Sequence, residues 1–360
     1  MNENDSERLA GQLQALGYEE IADKTRADVI IINTCCVRES AEQKIYGKIG
    51  ELKKLKQNNR NLILGISGCL AQKEKETLIA RAPHIDFVIG TNNMHNLKEI
   101  INNLQNRRNK IIITDENYSS IGSGTTVRKN KISAWVPIMQ GCNNFCTYCI
   151  VPYVRGREKS RSSKEIIDEV KQLGQDGFKE ITLLGQNVNS YGKDMNEIDF
   201  AELLKKIDDV DGIRRIRYMT SHPRDMSEKI IKAIKESKKV CRHFHLPIQS
   251  GSDFILSKMN RGYSVNEYKQ TVNIVRSLMP EASITTDIIV GFPGETDELF
   301  KETLEFLQEI KFDAAYTFMY SIRSGTPAAL LTDQVTSAIK KERLHVLMNV
   351  QNEISLAINK

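Results

Sequence analysis

The feature that most constrains this fold is a regular alternation of short apolar runs with longer amphipathic stretches. Residues 29–32 are wholly β-branched and residues 62–66 are mostly apolar, which predicts buried strands. The stretches between such runs repeat apolar residues at helical spacing. Strands that alternate with helices along a chain pair in parallel. The sequence therefore predicts an α/β protein built on parallel sheets.

Residues 118–131 divide the chain into two parts. This segment is rich in Ser, Gly and Thr, ends in a basic run and has little apolar content, which is typical of a linker. A chain of 360 residues also exceeds the usual size of one domain. We predict a domain over residues 1–117, a linker over 118–131, a second domain over 132–330 and a helix over 331–360.

The two predicted domains differ in architecture. Residues 1–117 contain four predicted strands, which suits an open parallel sheet of the flavodoxin-like type. This domain begins with a helix, with Asp5 as a predicted cap, where a strand would be expected. Residues 132–330 contain about six strand–helix units, fewer than a closed barrel needs, so we predict an open, partial (β/α)6 barrel. Ser162 and Glu165 form a predicted capping box for its first helix.

Three cysteines lie close together at the start of the second domain, in the stretch M-Q-G-C-N-N-F-C-T-Y-C. Cys142, Cys146 and Cys149 have the spacing C-x3-C-x2-C, which lets three thiolates converge on one iron–sulfur cube. A four-iron cluster held by three thiolates leaves one iron open for a small molecule such as S-adenosylmethionine. The alternatives are a structural zinc site and thiols that merely happen to lie close together. A closed zinc site needs a fourth Cys or His, and the next candidate, His222, is far downstream.

Two further cysteines follow predicted strands of the first domain. Cys35 follows the first strand and Cys69 follows the second. Loops at the carboxyl ends of parallel strands line a common crevice, so we expect these two thiols to meet there. They are candidate metal ligands, and buried structural thiols are the alternative. Cys36 is expected to point away from Cys35, since successive side chains of an extended chain face opposite ways.

Short polar and glycine-rich segments follow the predicted barrel strands. In parallel barrels the active site lies at these carboxyl ends of the strands. The amides and hydroxyls of these segments suit the ribose, amino and carboxylate groups of a nucleotide-like cofactor, and Gly291 would let the backbone approach an adenine. Asp287 interrupts an apolar strand, so its charge has to be paired or face a polar cavity. The predicted cofactor-binding residues are Tyr148, Gln186, Asn187, Ser221, Gln249, Asp287, Gly291 and Phe292.

Two roles are possible for each of several other polar residues. His222, His243 and His245 are possible ligands, but packed or capping histidines are the default expectation. Arg155, Arg157 and Arg161 lie just beyond the cysteines, where they suit contacts with phosphates or a solvated loop.

The composition of the chain limits its possible binding partners and its cellular compartment. The net charge of +5 and a pI of about 8.7 permit a nucleic-acid partner without requiring one. Seven cysteines, an odd number, in a chain with no secretory signal favour ligands and reduced thiols over disulfides. No apolar run is long enough to cross a bilayer, and the N-terminus is polar and acidic. We therefore expect a cytoplasmic protein with no membrane partner.

Over nearly its whole length the sequence resembles the radical S-adenosylmethionine methylthiotransferase family. The resemblance rests on short phrases in both domains. They are N-T-C and V-R-E within residues 33–39, G-C-L-A-Q at 68–72, the cysteine stretch at 141–149, G-Q-N-V-N-S-Y-G at 185–192, S-H-P-R-D at 221–225 and H-L-P-I-Q-S-G-S at 245–252.

The resemblance implies a tRNA-modifying enzyme with two [4Fe–4S] clusters and S-adenosylmethionine. By match, Cys142, Cys146 and Cys149 hold the cluster that cleaves S-adenosylmethionine, and Cys35 and Cys69 are two of three ligands of an auxiliary cluster that carries sulfur. The implied reaction is methylthiolation of C2 of N6-dimethylallyladenosine at position 37, in the tRNA anticodon loop. S-adenosylmethionine would be both methyl donor and source of a 5′-deoxyadenosyl radical. The implied protein partner is a reductant such as flavodoxin or ferredoxin, and we expect a monomer.

Other activities stay open at this point. Within the family, the alternatives are methylthiolation of threonylcarbamoyladenosine in tRNA or of a ribosomal-protein aspartate, although the phrases at 185–192 and 221–225 favour dimethylallyladenosine. A different class is a non-catalytic iron–sulfur protein that binds RNA. The family's first auxiliary-cluster cysteine precedes Q-M-N-x-x-D-S-E, and a small RNA-binding barrel ends the family's chains. This sequence contains neither, so we expect a labile auxiliary cluster and weakened tRNA affinity.

Overall fold

The computed structural model confirms an α/β fold with parallel sheets. The residues that it describes are 1–35, 39–107, 109–115, 125–195 and 197–360.

The chain folds into two compact units, and the first is assembled from two separate stretches of sequence. It comprises Met1–Lys131 together with Ile150–Arg157. The second unit comprises Ile132–Cys149 together with Glu158–Lys360. The domain limits given above stay a prediction. They did not include Ile150–Arg157 in the first unit.

A four-stranded parallel sheet forms the centre of the first unit. Its strands lie in chain order, whereas a flavodoxin-like sheet has the order 2-1-3-4-5, so the two share the parallel run but not the exchange of the first two strands. The elements of this unit are α1 (Asn2–Ala15), β1 (Val29–Thr34), α2 (Glu39–Asn58), β2 (Ile63–Gly68), α3 (Cys69–Glu74), α4 (Glu76–Arg81), β3 (Phe87–Ile89), α5 (Leu97–Asn106), β4 (Ile111–Ile113) and α6 (Val151–Arg155).

Helices cover both faces of this sheet. Helices α1 and α5 pack on one face through residues such as Leu9 and Leu97, which are buried. Helices α2, α3 and α4 pack on the other face, where Leu70 and Leu78 are fully buried. A sheet covered on both sides needs apolar side chains on both faces of its strands. This explains why β1 reads as an uninterrupted β-branched run rather than an alternating one.

Two local predictions in this unit were wrong. Helix α1 begins at Asn2, so Asp5 lies inside the helix and is buried there rather than capping it. The sequence also predicts one helix from Gln72 to about Ala82, but the structure has two short helices, α3 and α4, because Lys75 between them has φ of 49°. A left-handed residue ends a helix, and nothing in the local sequence marks Lys75 for that role.

The second unit is built on six parallel strands with helices between them. Its elements are β5 (Ser133–Pro137), β6 (Met139–Gln140), β7 (Lys159–Ser160), α7 (Ser163–Gln175), β8 (Glu180–Leu184), α8 (Phe200–Asp208), β9 (Arg215–Tyr218), α9 (Glu228–Glu236), β10 (His243–His245), α10 (Asp253–Lys258), α11 (Val265–Leu278), β11 (Ser283–Val290), α12 (Asp297–Ile310), β12 (Ala314–Met319) and α13 (Ser337–Ile358).

Six of these strands form two three-stranded parallel sheets, in the orders β5-β8-β9 and β10-β11-β12. A parallel bridge between Ile216 and Val240 joins them, which gives the order β5-β8-β9-β10-β11-β12. Among the described strands β5 and β12 do not pair, so the barrel is open. The predicted partial barrel of six strands is confirmed.

The start of α7 differs from prediction. Ser162 is its N-cap residue, but the side chain makes no capping bond. Glu165 instead lies 3.8 Å from Nε of Arg161. Asp199 and Ser264, by contrast, form capping boxes at α8 and α11. A neighbouring arginine thus competes with the backbone for the Glu165 carboxylate, and the predicted capping box is wrong.

Helix α13 closes the unit by packing against β12 and α12. Lys340 and Arg343 on this helix are buried, so its inner face is partly polar. No helix in the described ranges has the length and apolarity that a membrane crossing requires.

Candidate active site

The cysteine loop, residues 141–149, begins directly after β6. Gly141 has φ of 82°, and its amide donates to Oε1 of Gln186 at 2.6 Å. Phe145 has φ of 47°, which is strained for a residue with a side chain. A loop held in such a conformation needs support from its surroundings.

That support comes from the residues at the end of α10 and just after it. Nδ2 of Asn260 donates to the carbonyl oxygens of Asn144 at 3.2 Å and Phe145 at 3.1 Å. The hydroxyl of Thr147 donates to the carbonyl oxygen of Lys258 at 2.9 Å. These bonds fix the loop backbone on both sides of the middle cysteine.

Arg261 reaches the thiol of that cysteine. The residue is only 4% exposed, and its Nη1 lies 3.3 Å from Sγ of Cys146 and 3.3 Å from the hydroxyl of Tyr148. Its Nη2 donates to the carbonyl oxygen of Pro247 at 2.6 Å. Burial opposes the charge, but Tyr148, Tyr263 and Cys146 outweigh burial and hold the pKa of Arg261 well above its usual value. The loop thus has a permanent cation within hydrogen-bonding distance of one thiol.

Cys142 is held differently. Burial raises the pKa of its thiol to about 11, although Nδ2 of Asn144 donates to Sγ at 3.4 Å and partly opposes that effect. Metal binding at this thiol therefore requires release of a proton. Within the described residues, His, Cys, Asp and Glu side chains form no group of three arranged as a metal-ion site. One loop carries three thiols, and N–H groups donate to two of them, a donor set whose chemistry fits an iron–sulfur cluster.

Gln186 and Asn187 orient the loops at the ends of the strands. Asn187 is 1% exposed, and its Nδ2 donates to Oδ2 of Asp225 at 2.7 Å. Its Oδ1 accepts from the amide of His222 at 3.1 Å. Gln186 uses its oxygen on Gly141, as described above. Binding of a cofactor by these two amides stays a prediction.

Three buried side chains beyond β9 and β10 have polar atoms without a partner in the described part of the chain: Ser221, His222 and Ser252. Both ring nitrogens of His222 are affected. Burial, and after it the charges of Arg261 and Arg224, lower the pKa of His222 to about 2, so the ring is neutral. Buried polar atoms are normally hydrogen-bonded. Their clustering at strand ends fits a site that receives a polar molecule.

Gln249 lies just beyond β10, beside Asp287 in the interior of β11. Gln249 has φ of 77°, and its amide donates to the carbonyl oxygen of Asp287 at 2.9 Å. Oδ1 of Asp287 lies 3.5 Å from Nε2 of His245. The carboxylate inside the strand is thus placed beside a polar partner. Contact of either residue with a cofactor stays a prediction.

Gly291, Phe292 and Tyr148 lie in a packed region. Gly291 has φ of 67°, and a Cβ there would lie 2.3 Å from Cγ of Lys340, so the space beside it holds that side chain. Phe292 is fully buried and meets Tyr320 edge to face, with ring centroids 5.2 Å apart. Tyr148 packs against the same cluster. The predicted approach of an adenine to Gly291 would have to share this space with Lys340.

In the first unit, Cys35 and Cys69 leave the sheet from neighbouring positions. Thr34 and Gly68 are the last residue pair of β1 and β2, and each cysteine follows directly. Adjacent strands lie about 4.8 Å apart. The arrangement suits two ligands of one metal group, a role that stays a prediction. Cys36 lies outside the described residues.

Arg155 is buried beside this pair. It is 5% exposed, and its Nη2 donates to Oδ2 of Asp5 at 2.7 Å. Burial opposes its charge, but Asp5 and a hydrogen bond with Cys69 hold its pKa above the usual range. The solvated or phosphate-binding role considered from the sequence is wrong for Arg155. Each unit therefore places a buried arginine against a cysteine that is a candidate ligand.

Arg261 has no counterpart among the sequence predictions. It lies 115 residues beyond Cys146, in a segment without a recognisable phrase. A signal would have been its position just after the short helix α10, next to Asn260, which has φ of 56°. Arg161, expected near phosphates, is 7% exposed and donates to the carbonyl oxygen of Pro137 at 2.8 Å.

Two family models match the chain. The first is described as the radical SAM superfamily and covers residues 136–307. This range contains the whole cysteine loop and every predicted cofactor-binding residue. The second is described as the uncharacterized protein family UPF0004 and covers residues 1–90, which contain Cys35 and Cys69.

Curated relatives match along the full chain. A protein of Pelotomaculum thermopropionicum named tRNA-2-methylthio-N(6)-dimethylallyladenosine synthase is 53% identical over 364 aligned positions, which cover 100% of this chain and 81% of the relative. Its namesake in Desulforamulus reducens is 50% identical and is covered to 79%.

Solved structures share the fold at low identity. The radical S-adenosylmethionine methyltransferase TsrM of Kitasatospora setae, with tryptophan and a SAM analog bound, is 14% identical. The match has a TM-score of 0.68 and covers 91% of this chain and 72% of that one. OxsB, a cobalamin-dependent S-adenosylmethionine radical enzyme, gives a TM-score of 0.60 at 12% identity, over 97% of this chain and 53% of that one.

Proposed function

This chain belongs to the tRNA-2-methylthio-N6-dimethylallyladenosine synthase family of the radical SAM superfamily, and we propose that it transfers a methylthio group to C2 of N6-dimethylallyladenosine in tRNA. The observation that carries the proposal is the 53% identity over the full chain to a relative of that name. At such identity, residues of the reacting centre are normally shared. The cysteine loop and the polar strand ends described above support the same reaction class.

The cofactor chemistry is assigned to the second unit. A [4Fe–4S] cluster at Cys142, Cys146 and Cys149 with S-adenosylmethionine would supply the 5′-deoxyadenosyl radical, and the same cofactor would supply the methyl group. Arg261 holds a positive charge against the Cys146 thiol and excludes water from it, because the guanidinium is buried. The unpartnered hydroxyl of Ser221 is available to a polar ligand at the barrel rim.

A second cluster is assigned to the first unit. Cys35 and Cys69 would be two of its ligands, since they follow a registered residue pair on adjacent strands. Arg155 would hold the Cys69 sulfur in place by hydrogen bonding and balance its negative charge. This cluster would be the source of the inserted sulfur.

The partners follow from the reaction. The substrate would be the anticodon loop of tRNA, with position 37 as the target, and the net charge of +5 suits a polyanion. The target base has to leave the stack of the loop to be reached, as single-stranded RNA permits. A reductant such as flavodoxin or ferredoxin would supply electrons. We propose a cytoplasmic monomer.

The test uses two cysteine variants that serve as controls for each other. The protein is reconstituted with iron and sulfide and incubated with dithionite, S-adenosylmethionine and an anticodon stem–loop that carries N6-dimethylallyladenosine. We expect 5′-deoxyadenosine and the 2-methylthio product by mass spectrometry. Cys146→Ala should lose both products, because it removes a ligand of the radical-forming cluster. Cys69→Ala should lose the methylthio product but still form 5′-deoxyadenosine.

Absence of 5′-deoxyadenosine from the parent protein would leave the non-catalytic RNA-binding alternative. Turnover on a stem–loop with threonylcarbamoyladenosine, and none on the dimethylallyl RNA, would reassign the substrate. Nucleoside analysis of tRNA from cells lacking the gene checks the same assignment in vivo, where the 2-methylthio nucleoside should disappear.

A further inference from the structure

The barrel of the second unit encloses a cavity that the assignments above do not use. Its volume is about 320 Å³, which lies in the range of small-ligand pockets. None of its lining residues belongs to the cysteine loop or to the predicted cofactor-binding set. It extends from Ser133 and Glu180, at the starts of β5 and β8, to Met219 and His245, at the ends of β9 and β10. The cavity therefore reaches the strand ends at which the chemistry is expected.

One wall of the cavity is apolar and aromatic. Trp135 from β5 and Tyr218 and Met219 from the end of β9 contribute to it. Tyr316 of β12 also lines the cavity, and its ring meets that of His245 edge to face at 5.9 Å. Flat aromatic faces of this kind suit a planar base and an apolar substituent.

Another part of the lining is polar and already hydrogen-bonded. The hydroxyl of Thr285 lies 3.0 Å from Nε2 of His243 and 3.0 Å from Nδ1 of His245. Asp287 extends this row from the other side of His245, at 3.5 Å. Burial, and after it the neighbouring His245 and Arg217, lower the pKa of His243, so this ring is neutral. This part of the lining therefore offers hydrogen-bonding groups that are already held in position.

Glu180 and Arg217, which both line the cavity, form an ion pair. Nε of Arg217 lies 3.3 Å from Oε2 of Glu180, and Arg215 contacts the same oxygen at 3.2 Å. Among the described lining residues, then, Arg217 is paired and His243 is neutral. An anionic substituent would have to compete with Glu180 for these arginines. A neutral apolar substituent needs no such exchange.

We propose that this cavity receives the N6 substituent of the target adenine and selects a small, neutral, apolar group over a carboxylate-bearing one. The proposal rests on the proposed function, because it takes a modified adenine as the substrate. The dimethylallyl group would lie against Trp135, Met219 and Tyr316, and the polar row of Thr285 and His245 would face the edge of the base. The cavity thus supplies the preference for dimethylallyladenosine over threonylcarbamoyladenosine.

The chain reports on this cavity through its own fluorescence. Trp135 is its one tryptophan and lies in the cavity wall. The experiment titrates the full chain with N6-dimethylallyladenosine, adenosine or N6-threonylcarbamoyladenosine and follows Trp135 emission. We expect the dimethylallyl nucleoside to change the emission and to bind at least about tenfold more tightly than adenosine, since it buries five more carbon atoms. The threonylcarbamoyl nucleoside should bind no better than adenosine.

Tyr316→Ala tests the wall, and Phe254→Ala is its matched control. Tyr316 is 61% exposed and Phe254, which lies outside the cavity, is 54% exposed, so both truncations spare the core. We expect Tyr316→Ala to weaken binding of the dimethylallyl nucleoside about tenfold and Phe254→Ala to leave it unchanged. Equal weakening by both variants, equal affinity for adenosine, or no change in emission at millimolar nucleoside overturns the proposal.

This result is distinguishable from failure of the proposed function. Methylthio product without a response of Trp135 would leave the reaction standing and remove the cavity from it. Selective binding in the cavity without 5′-deoxyadenosine formation would support the cavity and contradict the reaction.

Discussion

Single buried side chains decide how the cysteine loop is held. Arg261 joins Cys146, Tyr148 and the carbonyl oxygen of Pro247, so one guanidinium ties together the loop, an aromatic cluster and the end of a strand. Phe145 keeps its strained φ because Asn260 and its neighbours hold both adjacent carbonyls. A strained, well-supported loop is what a site needs when three ligands must stay in a fixed geometry.

His222 should make the protein sensitive to acid. Its folded pKa of about 2 lies far below the value of about 6.5 for an unfolded histidine, so the unfolded chain takes up a proton first as pH falls. Its stabilising contribution is complete above about pH 6.5 and is lost below it. Between pH 7 and pH 5 we expect a loss of about 2 kcal/mol in the free energy of unfolding of the metal-free protein.

His222→Gln should remove that share of the pH dependence, as measured by urea unfolding at the two pH values. His345→Gln is the control, because His345 is exposed on α13. If the parent and His222→Gln lose the same free energy between pH 7 and pH 5, the neutral buried ring is not the cause.

Arg343 on helix α13 forms ion pairs with two carboxylates, one just before α12 and one at its first residue, and these carboxylates differ in exposure. Nη1 of Arg343 lies 2.8 Å from Oε1 of Glu295, and Nη2 lies 2.7 Å from Oδ1 of Asp297. The Glu295 side chain is 2% exposed and that of Asp297 is 91% exposed. Burial raises the pKa of Glu295, and Arg343 partly offsets that rise. The same cation therefore forms one buried and one exposed ion pair.

The two pairs should differ in energy. Glu295→Gln removes the buried partner of the Arg343 guanidinium and leaves only the exposed Asp297, so it should destabilise the protein by about 3 kcal/mol. Asp297→Asn should change stability by less than about 1 kcal/mol, because water screens the exposed pair. Urea unfolding of both variants against the parent measures the difference. Equal effects would mean that burial does not distinguish the pairs.

The helices and strands were largely predictable from the sequence. The long-range contacts that hold them and the cysteines in place were not. The sequence predicts a strand over Ser283–Val290, which are the observed bounds of β11, since a long β-branched run bounded by polar residues has few alternatives. The break at Lys75 and the short helix α6 escaped prediction, because tertiary contacts impose them. Cys142, Cys146 and Cys149 were identified by spacing alone, whereas Arg261 and Arg155 reach their cysteines through the fold. Sequence spacing reports local geometry but not long-range contacts.

At the scale of the whole molecule, the first unit depends on a buried charge pair that spans most of its sequence. The side chains of Asp5 and Arg155 are each 5% exposed and lie 2.7 Å apart. Nearby, the hydroxyl of Thr91 donates to the carbonyl oxygen of Val154 at 2.6 Å. The stretch Ile150–Arg157 is thus a structural part of the first unit.

A double-mutant cycle should detect that dependence. Asp5→Asn and Arg155→Met should each destabilise the protein by roughly 3–5 kcal/mol, because each leaves the other buried charge without its opposite charge. The double variant should lose clearly less than the sum of the two. The exposed pair of Glu20 and Lys129, 2.6 Å apart, is the control, and its single variants should cost at most about 1 kcal/mol. Additive losses for Asp5 and Arg155 would contradict a direct coupling.

The composition of the first unit also has a consequence for the order of events on the ribosome. Domains usually fold from the N-terminus as they emerge, at about 5–20 residues per second. Here the ion-pair partner of Asp5 is Arg155, which is synthesised later. The first unit therefore cannot be completed when residue 131 leaves the exit tunnel. The intervening 26 residues, 157 minus 131, take roughly 1–5 s to synthesise, and they include the cysteine loop. The cysteine loop is therefore translated before the first unit can close, so its three thiols and those of Cys35 and Cys69 leave the ribosome before that unit is complete.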